Sequence, residues 1–248
     1  MPMHDWTRVS AGTFHDFHNS WITHIKEFLN EGFLPDPYYA MGEQRAGDLG
    51  PDILTLKSSE GLEESGGDSA GGAAVLTQAP PQVRVSQEAE EIEFHLQRQR
   101  TIAIRHSSGD RIVALIEIVS RANRHSLQTL HDFADKVVAS LRDGIHVLIV
   151  DPFPPSRHDP DGIHGFIWER MLAGEYSAPA DEPLTLVSYC AKNPLTAWIE
   201  PLAVGAKLTA MPLFLTSQQH LPVPLEETYA RAWKGVPQRW KRVIEDAA

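Results

Sequence analysis

The chain has 248 residues, 42% hydrophobic and 22% charged, an ordinary globular composition with room for one large α/β domain or two small ones. Lys plus Arg number 22 against 33 Asp plus Glu, a formal charge of −11, which argues against non-specific coating of nucleic acid yet leaves room for a local basic groove. Cys190 is the one cysteine, so there is no internal disulfide to expect; no apolar run reaches the roughly 18 to 20 residues of a membrane span, and "MPMHDWTRVS" lacks the regions of a secretion signal. The expected location is therefore cytoplasmic, with no membrane partner.

The first periodic segment is "TFHDFHNSWITHIKEFLNEG". Phe14, Phe17, Trp21, Ile25, Phe28 and Leu29 recur at helical spacing and Gly32 supplies a stop, which predicts an amphipathic helix with one core face. "YYAMGEQ" and "GPDILTL" follow as two short β-rich runs. Residues 57 to about 82 turn abruptly to Gly, Ser, Ala and acid, the composition of a flexible insertion.

"RTIAIRH", a "SSGD" turn and "RIVALIEIVS" then spell a hairpin. In "HSLQTLHDFADKVVASLRDG", Leu127, Leu130, Phe133, Ala134, Val137 and Leu141 form a helical stripe that ends at Gly144, and "IHVLIVD" reads as a buried strand. Strand, helix, strand in this order predicts a right-handed crossover and a parallel pair. "IHGFIWERMLAG" reads as a further helix, "PLTLVSYC" and "AWIEPLAV" as paired strands, and "PLEETYARAWKGVPQRWKRVIED" as a terminal helix broken near Pro237. The expectation is one mixed-sheet α/β domain over residues 1–248, interrupted by the insertion.

One residue does not fit its surroundings. Glu117 sits inside "ALIEIVSRAN", where an unpaired carboxylate would be costly. Asp52 opens the apolar run of "GPDILTL", and Lys136 lies on the helix after the Glu117 strand. Two carboxylates on neighbouring strands with an ammonium close by suit a site for Mg²⁺ or Mn²⁺ that hydrolyses a phosphodiester, since hard oxygen ligands suit those ions.

"PD" at 51–52, "EIVS" at 117–120, Lys136 and "GIHVLIVDP" at 144–152 resemble the Uma family of restriction-endonuclease-like proteins, in the PD-(D/E)XK nuclease superfamily. "FHDFHNSWITHIKEFLN", "YYAMGEQ" and "GPDILTL" also resemble the bacterial family called domain of unknown function 4058, over nearly the full length. The resemblance implies a restriction-endonuclease-like mixed sheet flanked by helices. It makes Asp52 and Glu117 metal ligands, with the carbonyl of Ile118 as a third, and DNA the substrate. The chain departs from the parent motif at Val119, which stands where that motif has lysine, so Lys136 must substitute from the helix.

Three further residues are candidates for a supporting part: Glu43 as a second ligand or water-orienting group, His18 as a phosphate contact or acid/base, and Ser120 as a partner of Glu117 or of phosphate. Plainer readings stand beside these. Asp52 can cap a turn, Lys136 can pair with Asp132 one helical turn away, and Glu117 can form a structural ion pair with Arg105 or Lys136. The rival function is accordingly a non-catalytic interaction module on a nuclease-like fold, which Val119 and the acidic charge favour. Nucleases that cut both strands often act as dimers, which makes a homodimer the expected assembly for the hydrolase reading.

Overall fold

The computed structural model describes residues 2–43, 83–89, 101–171 and 174–245. Asp52 and the 57–82 stretch lie outside them. Helix α1 (Ala11–Phe28) is capped by Ser10, whose side chain accepts from the Thr13 amide, and it buries Phe14, Phe17, His18, Trp21 and Ile25. The chain turns out of it at Gly32, whose φ of +91° is a left-handed conformation that suits glycine.

A seven-stranded mixed sheet organises the described residues. Its strands are β1 (Tyr38–Glu43), β2 (Val85–Ala89), β3 (Thr101–His106), β4 (Arg111–Ile118), β5 (His146–Asp151), β6 (Leu184–Cys190) and β7 (Leu195–Leu202). The spatial order is β1-β3-β4-β5-β6-β7-β2, with β4 and β5 parallel and every other pair antiparallel. The parallel pair is joined by α2 (Leu127–Arg142), capped at Ser126 and ended before Gly144, whose φ is +76°. Helix α3 (Gly162–Arg170) follows β5. A two-stranded ribbon, β8 (Met211–Phe214) and β9 (His220–Val223), precedes α4 (Leu225–Lys234) and α5 (Gln238–Glu245), which flank Pro237 as expected.

Alternation along the strands sorts the core into two layers, because successive side chains leave opposite faces of a sheet. Ile102, Ile104, Ile116, Ile118, Leu148 and Val150 face α1, α4 and the β8–β9 ribbon. Ala103, Leu115, Val147, Ile149, Val187 and Ile199 face Leu130, Phe133, Val137 and Leu141 of α2 and Ile163, Ile167 and Trp168 of α3. Glu117 belongs by alternation to this second layer. No described helix is long and apolar enough to cross a membrane.

Candidate functional site

Antiparallel pairing of β3 with β4 sets Ile102 opposite Ile116, and one step further along the same ladder Thr101 meets Glu117. On the other side of β3 the register places Glu43 opposite Thr101, and across the parallel pair Glu117 stands beside Ile149. The row that begins Glu43, Thr101, Glu117 therefore turns apolar at Ile149 and continues through Val187 and Ile199. A polar end and a greasy end share one line of the sheet.

Glu117 is 1% exposed and its charge is met on the spot. Lys136 reaches down from α2 to place Nζ 2.6 Å from Glu117 Oε1. Thr101 joins the two groups: its hydroxyl donates to Glu117 Oε1, and its oxygen accepts from Lys136 Nζ at 2.5 Å. These roles are forced by chemistry, since an ammonium only donates and a carboxylate only accepts. Charge-assisted hydrogen bonds of this kind are roughly twice as strong as neutral ones, and a buried carboxylate needs them.

Of the three plainer pairings, Lys136 with Asp132, Glu117 with Arg105 and Glu117 with Lys136, the structure takes the last. Lys136 goes to Glu117, while Asp132 accepts from Gln128 Nε2 at 2.7 Å, and Arg105 goes to Asp110 at 3.1 Å. Helix α2 brings Lys136 in because Phe133, Ala134 and Val137 pack on the sheet and turn the adjoining position toward β3 and β4.

The supporting candidates separate. His18 is buried in the α1 layer, across the sheet from Glu117, where its Nε2 donates to the Ile118 carbonyl at 3.0 Å. That carbonyl, expected as a third metal ligand, thus already has a donor. Ser120 hydrogen-bonds elsewhere: its backbone amide and hydroxyl both donate to Asn123 Oδ1, at 2.6 and 2.7 Å, which caps the short 3₁₀ turn Arg121–Arg124. Glu43 keeps its place in the row by backbone register alone. Asp52 lies outside the described residues.

Two groups of residues were missed by sequence reasoning. Thr101 is one, although the hairpin register gives it away once the turn is fixed. The other lies where β4 and β5 end. Arg124 donates to Asp151 at 3.2 Å, to the Phe153 carbonyl at 3.0 Å and to Asp159, whose carboxylate also takes the Ser156 amide at 3.0 Å. All three charged side chains are buried. Burial pushes the Asp151 carboxyl up to about 7, with Arg124 pulling it down and Asp159 pushing it further up. The triad ties the loop after β4 to the loop after β5, and with it the start of α2 to the sheet.

Glu117 offers a hard oxygen, but no group of three His, Cys, Asp or Glu gathers for a metal among the described residues. A site for Mg²⁺ needs at least one more carboxylate at the Thr101–Glu117 end of the row, where Glu43 is in register. No protein-family model, curated protein or solved structure matches the chain.

Proposed function

We propose that the chain is a metal-dependent hydrolase of DNA phosphodiester bonds, built on a restriction-endonuclease-like sheet. The observation that carries this reading is the 2.6 Å contact between Lys136 and a Glu117 buried near the end of the β4 strand, beside the parallel crossover. A glutamate on a strand met by a lysine from the following helix is the pairing that the resemblance implies. Asp52 and Glu117 would hold Mg²⁺ or Mn²⁺. A bound ion of this kind polarises a phosphoryl oxygen and makes its water more acidic.

The chain's own residues do the remaining work. Lys136 neutralises Glu117 in the resting protein, and its ammonium is placed to donate to a phosphate oxygen or to orient water. Thr101 holds both groups in one geometry, so little reorganisation is needed when substrate arrives. The apolar continuation of the row, from Ile149 onward, keeps bulk water from that side. A second reading has its own observation: a carboxylate already neutralised by Lys136 needs no metal, which suits an interaction module that has lost turnover.

The test is incubation of supercoiled, linear and single-stranded DNA with the protein in Mg²⁺, in Mn²⁺ and after chelation. Metal-dependent cleavage by the wild type that disappears in Glu117→Gln and Lys136→Met is the expected result. Absence of cleavage on every substrate, in Mg²⁺ and in Mn²⁺, assigns the fold to the interaction module instead.

A further inference from the structure

The C-terminal helices carry charge of the wrong sign for this protein. Between Glu227 and Glu245 there is no carboxylate, and the cations Arg231, Lys234, Arg239, Lys241 and Arg242 fall in that interval, in a chain whose acids outnumber its bases 33 to 22. Two of the five are used structurally. Arg231 donates to Glu227 at 2.8 Å, and Lys241 donates to the Lys234 carbonyl at 3.2 Å, closing the end of α4. Lys234, Arg239 and Arg242 are exposed, and no described carboxylate forms an ion pair with them. Arg239 and Arg242 are three apart on α5, hence neighbours on one helical face.

Beside these cations lies a cleft of about 400 Å³, lined by Ser10, Thr13 and Asp16 of the α1 start and by Pro237 and Trp240. The two tryptophans of this segment differ. Trp233 is 2% exposed and anchors the core, stacked on His4 with ring centres 3.6 Å apart. Trp240 is only half-buried, presents its ring to the cleft and carries the Arg239 guanidinium 5.0 Å above its centroid. An aromatic plane flanked by unpaired cations is the arrangement that binds a nucleic-acid strand through stacking and phosphate neutralisation.

We propose that the corner formed by α4 and α5 is a docking surface for single-stranded nucleic acid, with phosphates on Lys234, Arg239 and Arg242 and a base in the cleft against Trp240. Charge complementarity selects this occupant, because Lys234, Arg239 and Arg242 are exposed cations with no ion pair to a described carboxylate, in a chain whose acids outnumber its bases. Three carboxylates are at or near the surface: exposed Asp16 lines the cleft, Glu245 at the end of α5 is turned to His4 at 3.8 Å, and Glu227 of α4 is held by Arg231 at 2.8 Å. Trp240 and Ile244 of α5 pack into the α1 layer, on the other side of the sheet from Glu117. The surface is therefore separate from the Glu117–Lys136 pocket, and the proposal stands without the hydrolase reading.

Fluorescence anisotropy of a labelled short oligothymidylate, with chelator present to prevent any cleavage, tests it. The wild type should bind at low salt and weaken steeply between about 50 and 200 mM salt. Arg239→Glu with Arg242→Glu should weaken binding at least about tenfold and flatten the salt slope, whereas Trp240→Ala should weaken binding and leave the slope intact. Lys192→Glu, a charge reversal at an exposed lysine between β6 and β7, should bind as the wild type does. The proposal is overturned if the wild type does not bind, if the Arg239 and Arg242 charge reversal binds equally well, or if Lys192→Glu weakens binding as much. It is also overturned if the wild type sediments as a dimer that the charge reversal disperses and the oligonucleotide does not, since the occupant is then a second acidic copy of this chain. Thermal melts of each variant check that the fold is intact before binding is compared.

Discussion

Glu117 is accommodated in an apolar strand because two donors converge on one of its oxygens, and each of those donors can be removed singly. Lys136→Met keeps much of the side-chain volume and strands the carboxylate, so urea unfolding should show a loss of about 3 to 5 kcal/mol. Adding Glu117→Gln to that variant should return most of the loss, because the uncompensated charge is then gone. Thr101→Val removes the hydroxyl that joins the pair and should cost roughly 1 to 2 kcal/mol, with Thr101→Ser nearly neutral. Equal stability of Lys136→Met and the wild type would mean that the contact does not hold in solution.

At the level of elements, the loop that feeds α2 is held by Arg124 between two buried carboxylates. Arg124→Met should therefore destabilise by about 3 to 5 kcal/mol, as measured by chemical denaturation, although it lies outside the Glu117 pair. Much of this framework is legible in the sequence. The 3.6-residue spacing of Phe14, Phe17, Trp21 and Ile25 gives α1, the "SSGD" turn gives the β3–β4 hairpin, and the continuous apolar run of "IHVLIVD" gives β5 and its parallel partner. What escapes is non-local or locally disguised. Pairing of β2 with β7 joins residues more than a hundred apart, and nothing near Val85 specifies it. The β8–β9 ribbon holds Pro212 opposite Pro222, and proline suppresses a strand signal. For the site, Glu117 announces itself by its apolar neighbours and Lys136 by its place after "EIVS", but Ser120 and His18 do not, because which neighbour a side chain meets is decided by loop turns and sheet faces rather than by spacing.

Across the whole molecule, buried histidines set the response to acid. Burial lowers His146 to about 4 and His164 to about 3, and it also lowers His4. His146 Nδ1 accepts from the Ala191 amide at 2.9 Å, a bond that protonation of that nitrogen would remove. A folded value below the unfolded 6.5 means that the unfolded chain binds more protons, so stability is present above about 6.5 and lost as pH falls toward 4. Asp151 acts in the opposite sense: raised to about 7 from 3.8, it favours the folded state when protonated, and that contribution fades as pH rises from about 4 through 7. Between pH 7 and 5 the pair His146 and His164 should cost on the order of 4 kcal/mol and Asp151 should return about half of it. Thermal melts should thus show a net drop in Tm over that interval, and Asp151→Asn should shift the pH dependence so that the drop is steeper. The role of Glu117 is settled most directly by calorimetric titration of Mn²⁺ into the wild type and into Glu117→Gln at neutral pH. Saturable binding to the wild type that is lost in Glu117→Gln is the predicted result; no binding to the wild type, or equal binding to both, would contradict a metal centre at Glu117.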